Sequence, residues 1–189
     1  MDNRNIAFTV CRSLEEKSKD NEVTIWSLDS LETTNASSQS LFTFKPPLKS
    51  IHSISVSCGP EAEYLCLAGK DHQVRDVILV YKLLDMIKFN KVEIIARQLS
   101  DFETFFVQFN SVVSNSIISC GKENIKLYKI KSGHLPGQSV ILNNTARGKY
   151  FHKAVVQFTE GEGQRSKKPT FVYVATTDGL LYFVNYHTR

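Results

Sequence analysis

The sequence has no long apolar run and very little helical periodicity. No segment approaches the roughly 18 consecutive apolar residues that a membrane-spanning helix needs. The first residues, Met1–Asn5, lack the basic and then apolar layout of a signal peptide. Only Leu83–Phe89 has a helical pattern, and it is long enough for a single turn. We therefore expect no membrane span and no helical bundle, and a cytoplasmic location.

Signatures of catalysis, metal binding and cofactor binding are also missing. The cysteines form no Cys-x-x-Cys pair and have no histidine at zinc-ligand spacing, so we expect reduced thiols at Cys11, Cys58, Cys66 and Cys120. No Gly-x-Ser-x-Gly elbow occurs, and Gly161–Gln164 lacks the Gly-Lys-Ser/Thr ending of a phosphate loop. Aromatic patterns of the kind that bind nucleic acid are absent. These absences predict a protein that is not an enzyme and binds no metal, cofactor, nucleic acid or membrane.

What the sequence does contain is a seven-residue phrase that occurs four times. Each copy is a polar turn followed by a short strand with a bulky residue at or near its end. The copies are Asp20–Trp26, Arg75–Tyr81, Lys122–Tyr128 and Asp178–Val184. Their last residues are 55, 47 and 56 positions apart. A strand unit that recurs at about this period is typical of a propeller or a solenoid.

Short stretches of alternating apolar and polar residues surround the phrases and predict about fourteen strands in four groups. The predicted blades are residues 1–48, 49–100, 101–146 and 147–189. Val140–Leu142 is predicted to be the last strand of the third group. Asp178-Gly179 is the strongest hairpin turn, because type I′ turns need positive φ at both central residues. The alternation predicts a core containing Ile54, Val56, Val80, Phe109, Ile125, Leu127, Val156 and Val174.

The four predicted groups do not all have four strands. The first group lacks its opening strand and the last lacks its closing strand, which leaves two complete and two incomplete blades. A propeller ring usually contains about 4–8 blades, and unpaired strand edges favour aggregation. We therefore expect an all-β fold that is part of a propeller and needs further blades from the same or another chain.

The repeated phrase resembles the end of a WD repeat, in which a polar turn leads into a strand that ends in tryptophan. Asp20–Trp26 matches this pattern well, whereas tyrosine replaces tryptophan at 81 and 128. The Gly-His pair that opens such repeats is missing, so the hydrogen-bonded Asp, His, Ser and Trp set of these blades is not expected. Ser119–Tyr128 and Gly179–Tyr186 are similar to segments of the tandem-propeller WD-repeat proteins of centrioles, cilia and microtubules.

The positive charge of the chain is concentrated in its C-terminal part. Residues 120–189 hold 11 Lys/Arg and 4 Asp/Glu, whereas the net charge of the whole chain is only +4. Loops at the rim of a β scaffold are frequent binding sites, and ordinary loop solubility is the alternative explanation. The two predicted clusters of partner-binding cations consist of Arg147, Lys149 and Lys153, and of Arg165, Lys167 and Lys168.

The resemblance implies a non-enzymatic WD-repeat interaction scaffold in a microtubule-based structure, namely a centriole, basal body or cilium. Its expected partners are proteins, including tubulin, whose acidic surface would attract the two cationic clusters. The alternative is a soluble WD-repeat scaffold of signalling or trafficking complexes that does not bind microtubules. Co-sedimentation with polymerised tubulin separates the two hypotheses.

Overall fold

Four antiparallel sheets, which we call blades 1 to 4, make up the computed structural model of this chain. It describes residues 6–12, 21–27, 39–58, 63–160 and 167–187. Blade 1 contains β1 (Ile6–Arg12), β2 (Asn21–Ser27) and β3 (Gln39–Phe44), and blade 2 contains β4 (Ser50–Val56), β5 (Tyr64–Lys70), β6 (Asp76–Lys82) and β7 (Ile94–Leu99). Blade 3 contains β8 (Thr104–Phe109), β9 (Ser116–Gly121), β10 (Ile125–Lys129) and β11 (Gly137–Ser139). Blade 4 contains β12 (Phe151–Glu160), β13 (Lys167–Thr176) and β14 (Leu181–Asn185).

The strands of each blade follow one another in chain order and pair with their sequence neighbours. Blades 2 and 3 have four strands, while blades 1 and 4 have three within the described residues. The four repeated phrases end in β2, β6, β10 and β14, the equivalent strand of every blade. The predicted all-β fold with four blades, the first and last incomplete, is therefore confirmed.

The opening strands of blades 2 to 4 lie at the centre of the fold. Strand β4 packs beside β8, and β8 packs beside β12. We call these three the axial strands, and the end of the blades at which they begin the upper face. Side chains of β4 bond the backbone of β8 directly: Ser53 Oγ lies 3.1 Å from Val107 N and 3.2 Å from Val107 O. Phe109 N donates to Ser55 Oγ over 2.9 Å.

Three apolar cores separate neighbouring blades, because alternate residues of each strand face opposite sides of a sheet. Leu67 and Tyr81 face blade 1, whereas Cys66 and Val80 face blade 3. The third core, between blades 3 and 4, includes Leu127. Six of the eight predicted core residues are buried: Val80, Phe109, Ile125, Leu127, Val156 and Val174. Ile54 and Val56 are only half-buried on the axial strand β4.

Two local predictions are wrong. The last strand of blade 3 is Gly137–Ser139 rather than Val140–Leu142. It pairs with Lys126–Tyr128 and crosses the ring of Tyr128 so closely that a Cβ at position 137 would lie 2.4 Å from that ring. Leu83–Phe89 forms α1, a helix of seven residues, which is about two turns rather than one. Leu83 and Met86 anchor α1 in the core between blades 1 and 2.

Blade 4 exposes an apolar face on the side away from blade 3. Leu181 and Phe183 of β14 are 53% and 64% exposed. Their register places them at the positions that Ile78 and Val80 occupy in blade 2, where both residues are fully buried against blade 3. The exposed side of blade 4 thus has the pattern of a face that contacts a further blade.

Candidate functional site

Backbone hydrogen bonds within and between blades 3 and 4 hold their loops at the upper face. Lys122 N donates to Glu103 O over 2.9 Å, and Glu123 N donates to Lys149 O over 2.9 Å. Thr177 N donates to Tyr150 O over 3.0 Å. These bonds connect the segments before β8 and β12 to the turns that follow β9 and β13. Side chains on these loops are therefore held on a rigid support.

The first predicted cationic cluster lies on this support. Arg147 is exposed and follows a 3₁₀ turn, Asn143–Ala146. Lys149 Nζ forms an ion pair with Asp178, and this hydrogen bond lowers the pKa of the Asp178 carboxyl. Lys153 Nζ lies 5.3 Å from the ring centroid of Phe106, within the range of a cation–π interaction. The structure thus places these three cations on the upper half of blade 4, with Arg147 making no ion pair within the described residues.

The described residues of the second predicted cluster lie at the opposite end of blade 4. Lys167 and Lys168 are in β13, paired with Glu160 and Thr159 near the end of β12. Lys168 is exposed, and Arg165 lies outside the described residues. Thr159 lies six positions after Lys153 along β12, which is about 20 Å at the rise of a β-strand. The two clusters therefore form two separate candidate contact areas rather than one.

The sequence analysis missed a group of rings beside the upper cluster. His52, Phe105 and His152 each occupy a register shift in an axial strand. The rings of Phe105 and His152 are stacked, with centroids 5.2 Å apart and planes 9° from parallel. Tyr150, which is 40% exposed, lies 6.0 Å from Phe105. A sequence signal for these bulges exists in Gly69 and Gly121, since glycine inside a strand often marks a bulge.

Both glycines stand opposite the bulges because no side chain fits there. A Cβ at Gly69 would lie 1.9 Å from Ser50 O, and a Cβ at Gly121 would lie 1.8 Å from Glu103 O. Close approach of the two backbones is therefore required at these points of blades 2 and 3. In blade 4 the equivalent residue, opposite Phe151, is Thr176.

Within the described residues, no group of three or more His, Cys, Asp or Glu side chains is arranged to hold a metal ion. In that same part of the chain, no helix has the length and apolar character needed to cross a membrane. Burial raises the pKa of the Cys120 thiol to about 12, so this cysteine is held as an unreactive thiol.

The fold and the arrangement of the blades are those of part of a β-propeller. Over 97% of its length it superposes on the crystal structure of Sqt1 from Saccharomyces cerevisiae, with a TM-score of 0.65 and 13% identity, covering 43% of that chain. It covers 55% of the β-propeller domain of Cps50 (Swd1) from Myceliophteria thermophila, with a TM-score of 0.61 and 13% identity. No protein-family model matches the chain.

Curated proteins also resemble this chain in sequence. The chain is 25% identical over 155 residues to Centriole proteome protein 16 from Chlamydomonas reinhardtii, which covers 73% of this chain. It is 23% identical over 140 residues to WD repeat-containing protein 90 from Xenopus tropicalis, which covers 72% of this chain. The matched segment spans only 7% of the length of each of these relatives. The resemblance to WD-repeat propeller proteins is thereby confirmed.

Proposed function

We propose that this chain is a non-enzymatic interaction platform of a microtubule-based structure, namely a centriole, basal body or cilium. The observation that carries the proposal is its similarity to Centriole proteome protein 16 over 73% of the chain. The WD repeat-containing relative and the propeller fold support an interaction role, because rigid blades present loops to partners.

The two cationic areas of blade 4 are the proposed contacts with acidic protein surfaces, including that of tubulin. The upper area contains Arg147, Lys149 and Lys153, and the lower area contains Lys168; the sequence neighbours of Lys168, Arg165 and Lys167, complete the second predicted cluster, and Arg165 lies outside the described residues. A single exposed cation contributes little, but several together steer association and add their weak contacts. Two areas at opposite ends of one blade would allow simultaneous contacts with two acidic surfaces.

Co-sedimentation with polymerised tubulin tests this proposal. Reversing the charges of the upper area, of the lower area and of both should weaken binding progressively, without changing the melting behaviour. A matched control reverses Lys45, Lys88 and Lys129, which are exposed on other parts of the fold. Binding should also weaken with added salt, because the Debye length falls from ~10 Å at 0.1 M to ~3 Å at 1 M.

Localisation of the tagged protein in ciliated cells is the complementary measurement. Accumulation at centrioles or basal bodies is the expected result. The proposal would be contradicted by a diffuse distribution together with tubulin co-sedimentation that changes neither with salt nor with charge reversal. That result would favour a scaffold that is not bound to microtubules.

A further inference from the structure

Three axial strands carry a bulged residue at the same position near the upper face. The register shifts lie between Ile51 and Ser53, between Thr104 and Phe106, and between Phe151 and Lys153. The extra residues are His52, Phe105 and His152, so each is a ring. A bulge redirects the side chain that it carries. The repeated bulge therefore places an aromatic or imidazole ring near the upper end of each of the three axial strands.

The two histidines differ in the atoms that they leave available. His52 Nδ1 lies 3.2 Å from Thr104 O, and Nε2 lies 3.1 Å from Ser50 Oγ. A carbonyl oxygen accepts only, so Nδ1 carries the proton and Nε2 accepts from the Ser50 hydroxyl. Both nitrogens of His52 are thus used within the fold. The ring of His152 is exposed and stacked on Phe105, and its nitrogens make no hydrogen bond within the described residues.

Phe105, Tyr150 and His152 together form a surface that we call the ring ledge. The Tyr150 ring is tilted by 30° from that of Phe105, and the His152 ring is nearly parallel to it. Stacked rings of this kind offer a flat apolar surface on which a further side chain can pack. The Lys122 backbone pairs with that of Tyr150 in an isolated bridge, which fixes the position of the ledge against blade 3.

The electrostatic surroundings of the ring ledge are positive. Lys122 and Arg147 are exposed and make no ion pair in the described part of the chain. The nearby carboxylates are already engaged: Glu123 Oε1 accepts from Gly148 N over 2.7 Å, and Asp178 is paired with Lys149. Unpaired cations beside an apolar surface attract a ligand that is acidic and carries an apolar side chain.

We propose that the ring ledge binds an acidic peptide segment of a protein partner. An aromatic side chain of the peptide packs on the ledge, and its carboxylates face Lys122, Arg147 and the free nitrogens of His152. This inference rests on the proposed role as an interaction platform, and it specifies the kind of partner that the upper face of the chain binds. A single-stranded RNA also stacks on rings; the proposed role as an interaction platform favours a peptide, and binding of an RNA is an outcome of the test.

The test uses three short fluorescent peptides and measures binding by anisotropy. The first is a run of glutamates around one phenylalanine, the second replaces phenylalanine with alanine, and the third replaces the glutamates with glutamine. We expect the first peptide to bind most tightly, and Tyr150→Ala or His152→Ala to weaken it about three- to tenfold, as expected for loss of a ring contact. The matched control is Phe89→Ala, which removes a ring that is 72% exposed on α1.

Equal binding of the three peptides would overturn the proposal, as would variants at the ledge that bind as the control does and melt normally. Tighter binding of an oligouridine than of the first peptide would also overturn it. Tubulin co-sedimentation of the same variants keeps this proposal separate from the proposed function. Peptide binding without co-sedimentation would retain the ring ledge and reject the microtubule role, whereas the opposite result would reject the ring ledge alone.

Discussion

Two serines of β4 are expected to stabilise the centre of the propeller, because their hydroxyls hydrogen-bond backbone groups on the edge of β8 that no strand in the described part of the chain pairs with. Val107 is fully buried, and its N–H and C=O both bond to Ser53 Oγ. Phe109 is nearly as buried, and its N–H bonds to Ser55 Oγ. Ser53→Ala leaves one donor and one acceptor of β8 without a partner, and Ser55→Ala leaves one donor.

The magnitude follows from the cost of a buried unsatisfied group, which is about 1–3 kcal/mol. Ser53 and Ser55 are half-buried, so water can replace part of each lost bond. We therefore expect each single substitution to lower the free energy of unfolding by about 1–2 kcal/mol, and the double substitution by about 2–4 kcal/mol. Serine and alanine differ little in volume, so no large cavity term is added.

Urea unfolding of the wild type and the three variants measures this loss. Hydrogen exchange locates it, because the amides of Val107 and Phe109 should lose protection first. Ser139→Ala is the matched control, since Ser139 is exposed on the outer strand β11. A change below about 0.5 kcal/mol in the double variant, the range of ordinary surface substitutions, would show that these side-chain bonds do not join blades 2 and 3.

Three further predictions concern the cores, the exposed face and acid stability. Substitution to alanine should cost about 2–4 kcal/mol in urea unfolding, with the valines at or below the low end, at Val80, Phe109, Ile125, Leu127, Val156 and Val174. The isolated chain should self-associate through blade 4, so light scattering should show more monomer after Leu181→Lys with Phe183→Lys; an unchanged mass would reject this face as the cause. The hydrogen bond from the Arg75 side chain is the main cause that lowers the pKa of Asp71. The stabilisation from this ion pair is therefore complete above the ordinary pKa of a carboxyl in the unfolded chain. It is lost as pH falls through the lower pKa that Asp71 has in the folded state. Asp71→Asn should reduce the dependence of the melting temperature on pH in that acidic range, and an unchanged dependence would count against this ion pair.

The division into four sheets could be predicted from the sequence because its signals are local. The continuous apolar run Val77–Tyr81 specifies a central strand, and Asp178-Gly179 specifies the turn before β14. Gly179 has a φ of +83°, but Asp178 does not have a positive φ, so the predicted type I′ turn is wrong although the hairpin itself forms. The outer strand of blade 3 was harder, because its residues Gly137–Ser139 are all exposed and have no burial pattern. Apolar Val140–Leu142 was therefore the better match, although Val140 N only extends the pairing with Ile125 O.

The location of the cations depended on a strand length that composition does not encode. Charge counts identify the C-terminal part as basic, but they do not order its residues in space. Strands β12 and β13 are ten residues long, whereas the equivalent strands of blade 2 have seven. This longer hairpin carries Lys168 away from Lys153 to the opposite end of the blade. Clusters that are close in the sequence thus become separate surfaces in the fold.

The ring ledge shows why strand periodicity alone does not predict every site on a sheet. A period of two assigns each residue of a strand to one of two faces, and a bulge breaks that count by one residue. Phe105 and His152 are the inserted residues, so the alternation assigns neither of them correctly. Gly121 indicates the first bulge, because only glycine allows the backbone of Glu103 to approach so closely. Thr176 stands at that position in blade 4, so His152 has no such signal, and its stacking on Phe105 becomes evident only when β8 and β12 lie side by side.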